Sequence, residues 1–245
     1  AHEVGAEILV DGAQWVPHAQ VVMHPGDRAQ ALDYLVLSGH KLYAPGSRGA
    51  LIGNLSTLSQ KRCVTDVGGG MVEYVSLEEF EIKEQVTARE EAGTPNIPGS
   101  ISMGLIAEIL LRIGMDTVAR AEEKLTDKLL KRLGAVPRVT VYGATDRARV
   151  PRAGVVAFNV EGLPHGLVAT YLNDFHNIAV RNACFCAQPY VKALLKVDAA
   201  TETVYRHEMS CGDLRHVPGM VRASLGIYSN EDDIEVLGRA LEELI

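Results

Sequence analysis

The chain has 245 residues, 47% of them hydrophobic and 22% charged, the balance of a globular protein with room for one large domain or two smaller ones. Its net charge of -7 comes from 31 acidic and 24 basic residues with no long basic run, so the electrostatic footprint of a nucleic-acid binder is missing and small molecules or proteins are the expected partners. No apolar run reaches the roughly 18 residues of a membrane span and no basic-then-apolar leader opens the chain, which therefore reads as cytosolic. Four cysteines, at 63, 184, 186 and 211, are too few and too unevenly spaced for a disulfide framework and are expected as reduced thiols.

In chain order, strands are expected at 7–10 (EILV), 32–37 (LDYLVL) and 49–52 (GALI), separated by Gly, Pro and polar residues, which predicts a mixed or parallel α/β sheet. The chain opens without Met on what reads as the tail of a helix running into a buried strand, the pattern of a fragment. Residues 97–113 carry apolar residues at helical spacing, and 115–133 continue as a long amphipathic helix bridging two domains, 1–114 and 115–245. Beyond it, strands are expected at 138–143, 154–160 and 220–228, and helices at 165–176 and 230–245, the last with an Asn cap and an acidic first turn. That is a compact α+β unit. The stretch 192–217 shows no clean period.

Asp11 in "ILVDGAQ" ends an apolar strand, the place where open α/β sheets gather ligand-binding groups, although Asp-Gly is also a common turn dipeptide. Lys41 in "SGHK" ends the next strand, so both converge on one edge of the sheet. An Asp that keeps a ring nitrogen protonated and a Lys that forms an imine are the two groups a pyridoxal-phosphate site requires. "CFC" at 184–186 offers two thiols, and if strand-like it would put both on one face with Phe185 opposite. Either cysteine also fits as a small buried hydrophobe, and Cys-x-Cys without further ligands makes no closed zinc site.

Read in order, "VDGAQ", "LDYLVLSGHKLYAP", "REEAGTPN", "VRNACFCAQP" and "VRASLGIYSNEDDIEVL" resemble the cysteine desulfurase and selenocysteine lyase group of class V aminotransferase-fold enzymes. The resemblance runs from residue 1 to 245 but covers only the later part of the family's sequence. It implies an α/β, fold type I pyridoxal 5'-phosphate enzyme, with part of the large cofactor domain, a small α+β C-terminal domain and a homodimer. It makes Lys41 the cofactor lysine, Asp11 the partner of the pyridine nitrogen and Gln14 the donor to the ring's phenolic oxygen. Ser38 and His40 would bind the phosphate, where hydroxyl and imidazole suit a dianion, and Thr94 would reach the phosphate of the other subunit.

The resemblance further makes Arg222 the group that takes the substrate carboxylate, a role suited to a guanidinium fork, with Arg181 near the active site. Cys186, five residues after Arg181, falls at the family's nucleophile, which takes sulfur from L-cysteine as a persulfide and leaves alanine. A sulfur-acceptor protein would follow. The family's phosphate-binding Gly-Thr turn and its ring-stacking residue would lie upstream of residue 1, so this chain is expected to carry half a cofactor site. The turn "YAPGSRGAL" also departs from the commoner glycine- and threonine-rich one. Two other readings remain open: a class V aminotransferase or epimerase that does not use the cysteine, and a catalytically silent fragment.

Overall fold

The structure is a computed structural model and describes residues 1–60, 66–146, 149–150, 152–214 and 216–245, so the Cys63 thiol expected above lies outside the described residues. The chain divides into two compact units, Ala1–Thr117 and Val118–Ile245.

In the first unit, β1 (Leu9–Asp11) pairs in parallel with β2 (Tyr34–Ser38), which pairs antiparallel with β3 (Gly49–Gly53). The expected mixed sheet is therefore present, with strand bounds shifted by one or two residues. β1 differs from the expected buried strand: Leu9 is 58% exposed, and the free edge and face of this three-stranded sheet lie open. A short helix α1 (Leu55–Gln60) follows, and then comes an antiparallel hairpin of β4 (Val72–Val75) and β5 (Phe80–Ile82) that the sequence reading missed. Its acidic, weakly alternating sequence hides the strand period. Helix α2 (Val86–Glu90) leads to α3 (Ile97–Ile113), whose N-terminus is capped by Asn96, the side-chain oxygen accepting from the Gly99 amide at 3.1 Å.

The second unit is built on α4 (Met115–Ala135), β6 (Val139–Tyr142), β7 (Val155–Val160), α5 (His165–His176), β8 (Arg181–Ala183), α6 (Gln188–Leu195), α7 (Ala199–Ser210), β9 (Met220–Ser224) and α8 (Glu231–Leu244). Its four strands form an antiparallel sheet in the order β6-β7-β9-β8. On β7 every second residue is buried, Val156, Phe158 and Val160, so one face of the sheet is dry. Leu129 and Leu133 of α4, Val168 and Leu172 of α5, and Leu237 and Leu241 of α8 close that face. α4 buries Val118, Glu122, Thr126, Leu129 and Leu133 at three- and four-residue spacing, the stripe of an amphipathic helix. Glu122 is buried because its carboxylate accepts from the Gly154 amide at 2.6 Å.

The Asn cap of α8 is a capping box: Asn230 accepts from the Asp232 and Asp233 amides, and Asp233 accepts from the Asn230 amide. One expectation fails. The last strand ends at Ser224 instead of 228, because Gly226 turns the chain toward α8 and its amide donates to the Ser229 hydroxyl at 3.0 Å. The stretch 192–217, in which the sequence shows no clean period, contains the second half of α6 and all of α7; α7 is capped by Asp198, which accepts from the Thr201 amide at 2.7 Å, and each helix buries one side chain, Val191 and Tyr205.

Candidate active site

The first unit gathers its candidate groups at the carboxyl ends of β1 and β2. Asp11 ends β1 opposite Val36 of the parallel neighbour, and Ser38 ends β2 two residues further on. The Asp11 carboxylate is exposed and accepts from the Ala13 amide at 3.0 Å, so the turn role of Asp-Gly is real and leaves the group at the sheet edge. The next residue, Gly12, is buried, and a Cβ there would come within 2.7 Å of Leu35. Gln14 is exposed in the turn beyond it.

Residues 38–44 form one tight turn, in which the Lys41 and Leu42 amides reach back to the Ser38 carbonyl at 3.2 and 3.1 Å. Gly39 is needed at its centre because a Cβ would lie 2.2 Å from the Ser47 hydroxyl and 2.4 Å from the Arg48 carbonyl. The turn leaves Lys41 half-buried and brings the Ser38 hydroxyl within 2.9 Å of His40 Nδ1. Hydroxyl, imidazole and amine thus lie within four residues of one short loop, the first two in contact. Thr94 is exposed in the connection before α3. Two residues later Asn96 donates to the Gly46 carbonyl at 2.7 Å, tying that connection to the loop after Lys41. The sequence reading missed this positioning role, and a cap-type Asn after "GTP" was its only signal.

The second unit gathers the other three candidates at one end of the β8–β9 ladder. Val221 and Ala223 of β9 enter the core, so Arg222 between them projects from the opposite face, where its cross-strand partner is Arg181 of β8. Like charges directly opposite are destabilising. Arg222 is half-buried, its Nε is buried with no hydrogen-bond partner among the described residues, and its guanidinium lies 5.4 Å from the centre of the Phe185 ring. Burial disfavours its positive charge, as does Arg181, while Cys186 favours it. The pair thus presents two positive charges and an unused donor at one end of the ladder.

Residues 184–186 turn instead of extending, so the two thiols do not share a strand face. Ala183, Phe185 and Cys186 take positive φ of 79, 52 and 62°, a conformation non-glycine residues adopt at a cost of order 1–3 kcal/mol each. The consequence is a division of labour. Cys186 is exposed with its sulfur 3.4 Å from Arg181 Nη2. Cys184 is half-buried, donates to the Pro218 carbonyl at 3.1 Å, and has its thiol pushed up by burial against the opposing pull of Lys192. No group of three metal-ligating side chains occurs among the described residues.

The aminotransferase class-V family model matches residues 1–237. The chain belongs to that family. Over its whole length this class-V chain is 36% identical to a cysteine desulfurase of Escherichia coli O127:H6 and 35% identical to one of Klebsiella pneumoniae, covering 52% of each. It therefore spans about half the length of the curated relatives it matches. Among solved structures it superposes on the apo cysteine desulfurase of Thermococcus onnurineus with a TM-score of 0.80 at 32% identity, covering all of this chain and 54% of that one. On the S-sulfonic acid form of the cysteine desulfurase CsdA from Escherichia coli the TM-score is 0.77 at 28% identity, covering 99% and 52%. The mixed α/β architecture of this class-V chain thus matches about half of those folds.

Proposed function

We propose that this class-V chain is the later half of a pyridoxal 5'-phosphate-dependent cysteine desulfurase, in which Cys186 accepts the sulfur of L-cysteine and alanine leaves. The observation that carries the reading is the end of the β8–β9 ladder, where an exposed thiol lies beside one guanidinium and a second faces it. In the first unit, the Gly39 turn supports the cofactor reading, because it leaves space only for backbone while presenting Ser38, His40 and Lys41 together. When bound there, pyridoxal phosphate supplies an electron sink conjugated to the substrate's Cα.

The residues of this chain then have distinct work. Lys41 would hold the cofactor and move protons at the substrate carbon, the Asp11 carboxylate would hold the proton on the ring nitrogen, and Gln14 would donate to the ring oxygen. Ser38 and His40 donate to the phosphate. Arg222 takes the substrate carboxylate through its fork, using the Nε that otherwise has no partner. Cys186, its sulfur 3.4 Å from Arg181 Nη2, attacks the substrate sulfur as a thiolate. The S–S bond forms, the C–S bond breaks, and its electron pair ends on the substrate's Cβ with a proton, giving alanine and a Cys186 persulfide.

We extend the reading to a cytoplasmic homodimer in which Thr94 reaches the partner's phosphate, and to a sulfur-acceptor protein downstream. The absence of any helix long and apolar enough to cross a membrane among the described residues is compatible with it. The cofactor-loaded enzyme with L-cysteine is expected to give alanine and an equal amount of sulfur, released or bound to the protein, with the protein-bound part on Cys186. Transfer of the amino group to a keto acid, with no sulfur on the protein, would replace this reading by that of an aminotransferase.

A further inference from the structure

The mechanism above uses one thiol of "CFC" and leaves the other unexplained. Cys184 is not packed as an inert core residue: it is only half-buried, its sulfur is held by a single bond to the Pro218 carbonyl, and it borders a cavity of about 200 Å³. The same cavity is lined by Lys192, Glu202 and Tyr205, with Lys192 bonded to Glu202 at 2.8 Å. The residue between the two cysteines, Phe185, has φ 52°. A left-handed residue sets its neighbours' Cα atoms at the i,i+2 separation of a helix, ~5.5 Å, whereas an extended one sets them ~6.6 Å apart. The shorter value falls inside the ~4.4–6.8 Å that a disulfide needs, near its usual separation, and the longer one falls at its limit.

We propose that Cys184 is the resolving thiol of this loop, which attacks the persulfide on Cys186 to release hydrosulfide and close a Cys184–Cys186 disulfide. The inference rests on the reading of Cys186 as the sulfur acceptor. The Cys184 thiolate attacks the Cys186 Sγ, a new S–S bond forms between the two side chains, and the bond from Cys186 Sγ to the outer sulfur breaks. The outer sulfur leaves with the electron pair as hydrosulfide, so it is reduced while the Cys184 sulfur is oxidised and Cys186 Sγ keeps its oxidation state. Atoms and electrons balance without an added oxidant.

The environments set the order of events. At rest, burial and the Pro218 carbonyl keep Cys184 protonated and turned away, so sulfur arrives first on the exposed Cys186 beside Arg181. Once Cys184 turns out of its carbonyl bond, Lys192 favours its thiolate, and the left-handed turn places it within reach. The product is a loop locked until an external thiol, such as a small-molecule dithiol, reduces it. When no acceptor protein has taken it first, the sulfur then leaves as free hydrosulfide instead of being passed on as a persulfide.

Sodium disulfide, which persulfidates thiols directly, tests this on the chain without cofactor or substrate, in a background with Cys63 and Cys211 replaced by Ser. After brief anaerobic exposure, removal of the reagent, alkylation and digestion, mass spectrometry of the 184–186 peptide and a hydrosulfide assay are read together. With both cysteines present, the peptide is expected to be two hydrogens lighter, unalkylated, and accompanied by one equivalent of hydrosulfide beyond the one that the reagent itself releases on persulfidation, which the Cys184 variants also give. Cys184→Ser and Cys184→Ala are expected to hold one extra sulfur on Cys186, with a lifetime at least about tenfold longer, and circular dichroism checks that each variant is folded. Equal persulfide lifetimes with and without Cys184, sulfur appearing on Cys184 in place of Cys186, or no persulfide on Cys186 in the Cys184 variants would each overturn the proposal. Failure of the desulfurase reading shows itself separately, as loss of alanine formation from L-cysteine in the loaded enzyme.

Discussion

Replacing Arg222 by methionine is expected to stabilise the cofactor-free chain while removing its affinity for a substrate carboxylate. The magnitude follows from three local changes. The substitution removes a buried, unpartnered Nε donor, worth about 1–3 kcal/mol in desolvation, and a like-charge pair with Arg181 directly across the ladder, worth ~0.2–1 kcal/mol. It forfeits the guanidinium's contact with the Phe185 ring, about 0.5–1 kcal/mol, while the unbranched thioether keeps the packing of the stem. Taking the middle of each range, the balance is a gain of about 2 kcal/mol, or ~4–8 °C in melting temperature for a chain of this size. Urea and thermal denaturation followed by circular dichroism measure it. In parallel, L-alanine but not alaninamide is expected to raise the melting temperature of the unsubstituted chain, and neither is expected to raise that of Arg222→Met. A loss of more than about 1 kcal/mol on substitution would refute the argument, because it would mean that Arg222 is a structural residue with its bonds satisfied.

Lys41→Ala in the cofactor-loaded enzyme is expected to abolish the covalent attachment that borohydride traps; a trapped cofactor on another lysine would reassign the role. Gly39→Ala forces a Cβ to within 2.2 Å of the Ser47 hydroxyl and 2.4 Å of the Arg48 carbonyl, an overpacking cost of about 1–3 kcal/mol, seen as early unfolding of the first unit in hydrogen exchange. The pH dependence of the second unit should involve Arg132, which donates to both Glu242 oxygens at 2.8 Å and to Glu235 at 3.1 Å. The Arg132 bond holds the Glu242 carboxyl below its ordinary value. A depressed carboxyl contributes stability that is present above its unfolded value, about 4.5, and is lost as pH falls through the folded one. Arg132→Gln should therefore flatten the loss of stability below about pH 4.5 and leave the profile near neutrality parallel; an unchanged acid limb would exclude the pair as a contributor.

What the sequence alone determined is what repeats at short range or is spelled in contiguous residues. The periods of α4 and β7, the Asn230 cap and the Asp11 turn are local physics, because each depends on neighbours within about four positions. So is the order of "VDGAQ", "SGHK" and "VRNACFC", which carries the family resemblance. What only the tertiary structure decided depends on pairs far apart in the chain. That Arg181 faces Arg222 is a matter of strand register, and that Asn96 reaches Gly46 is a contact across fifty residues. The strand-like reading of 184–186 gave way because left-handed φ at Phe185 and Cys186 sends one sulfur to Pro218 and the other to Arg181. No period in three residues announces that turn; it is imposed by the strand before it, the helix after it and the β9 edge beside it.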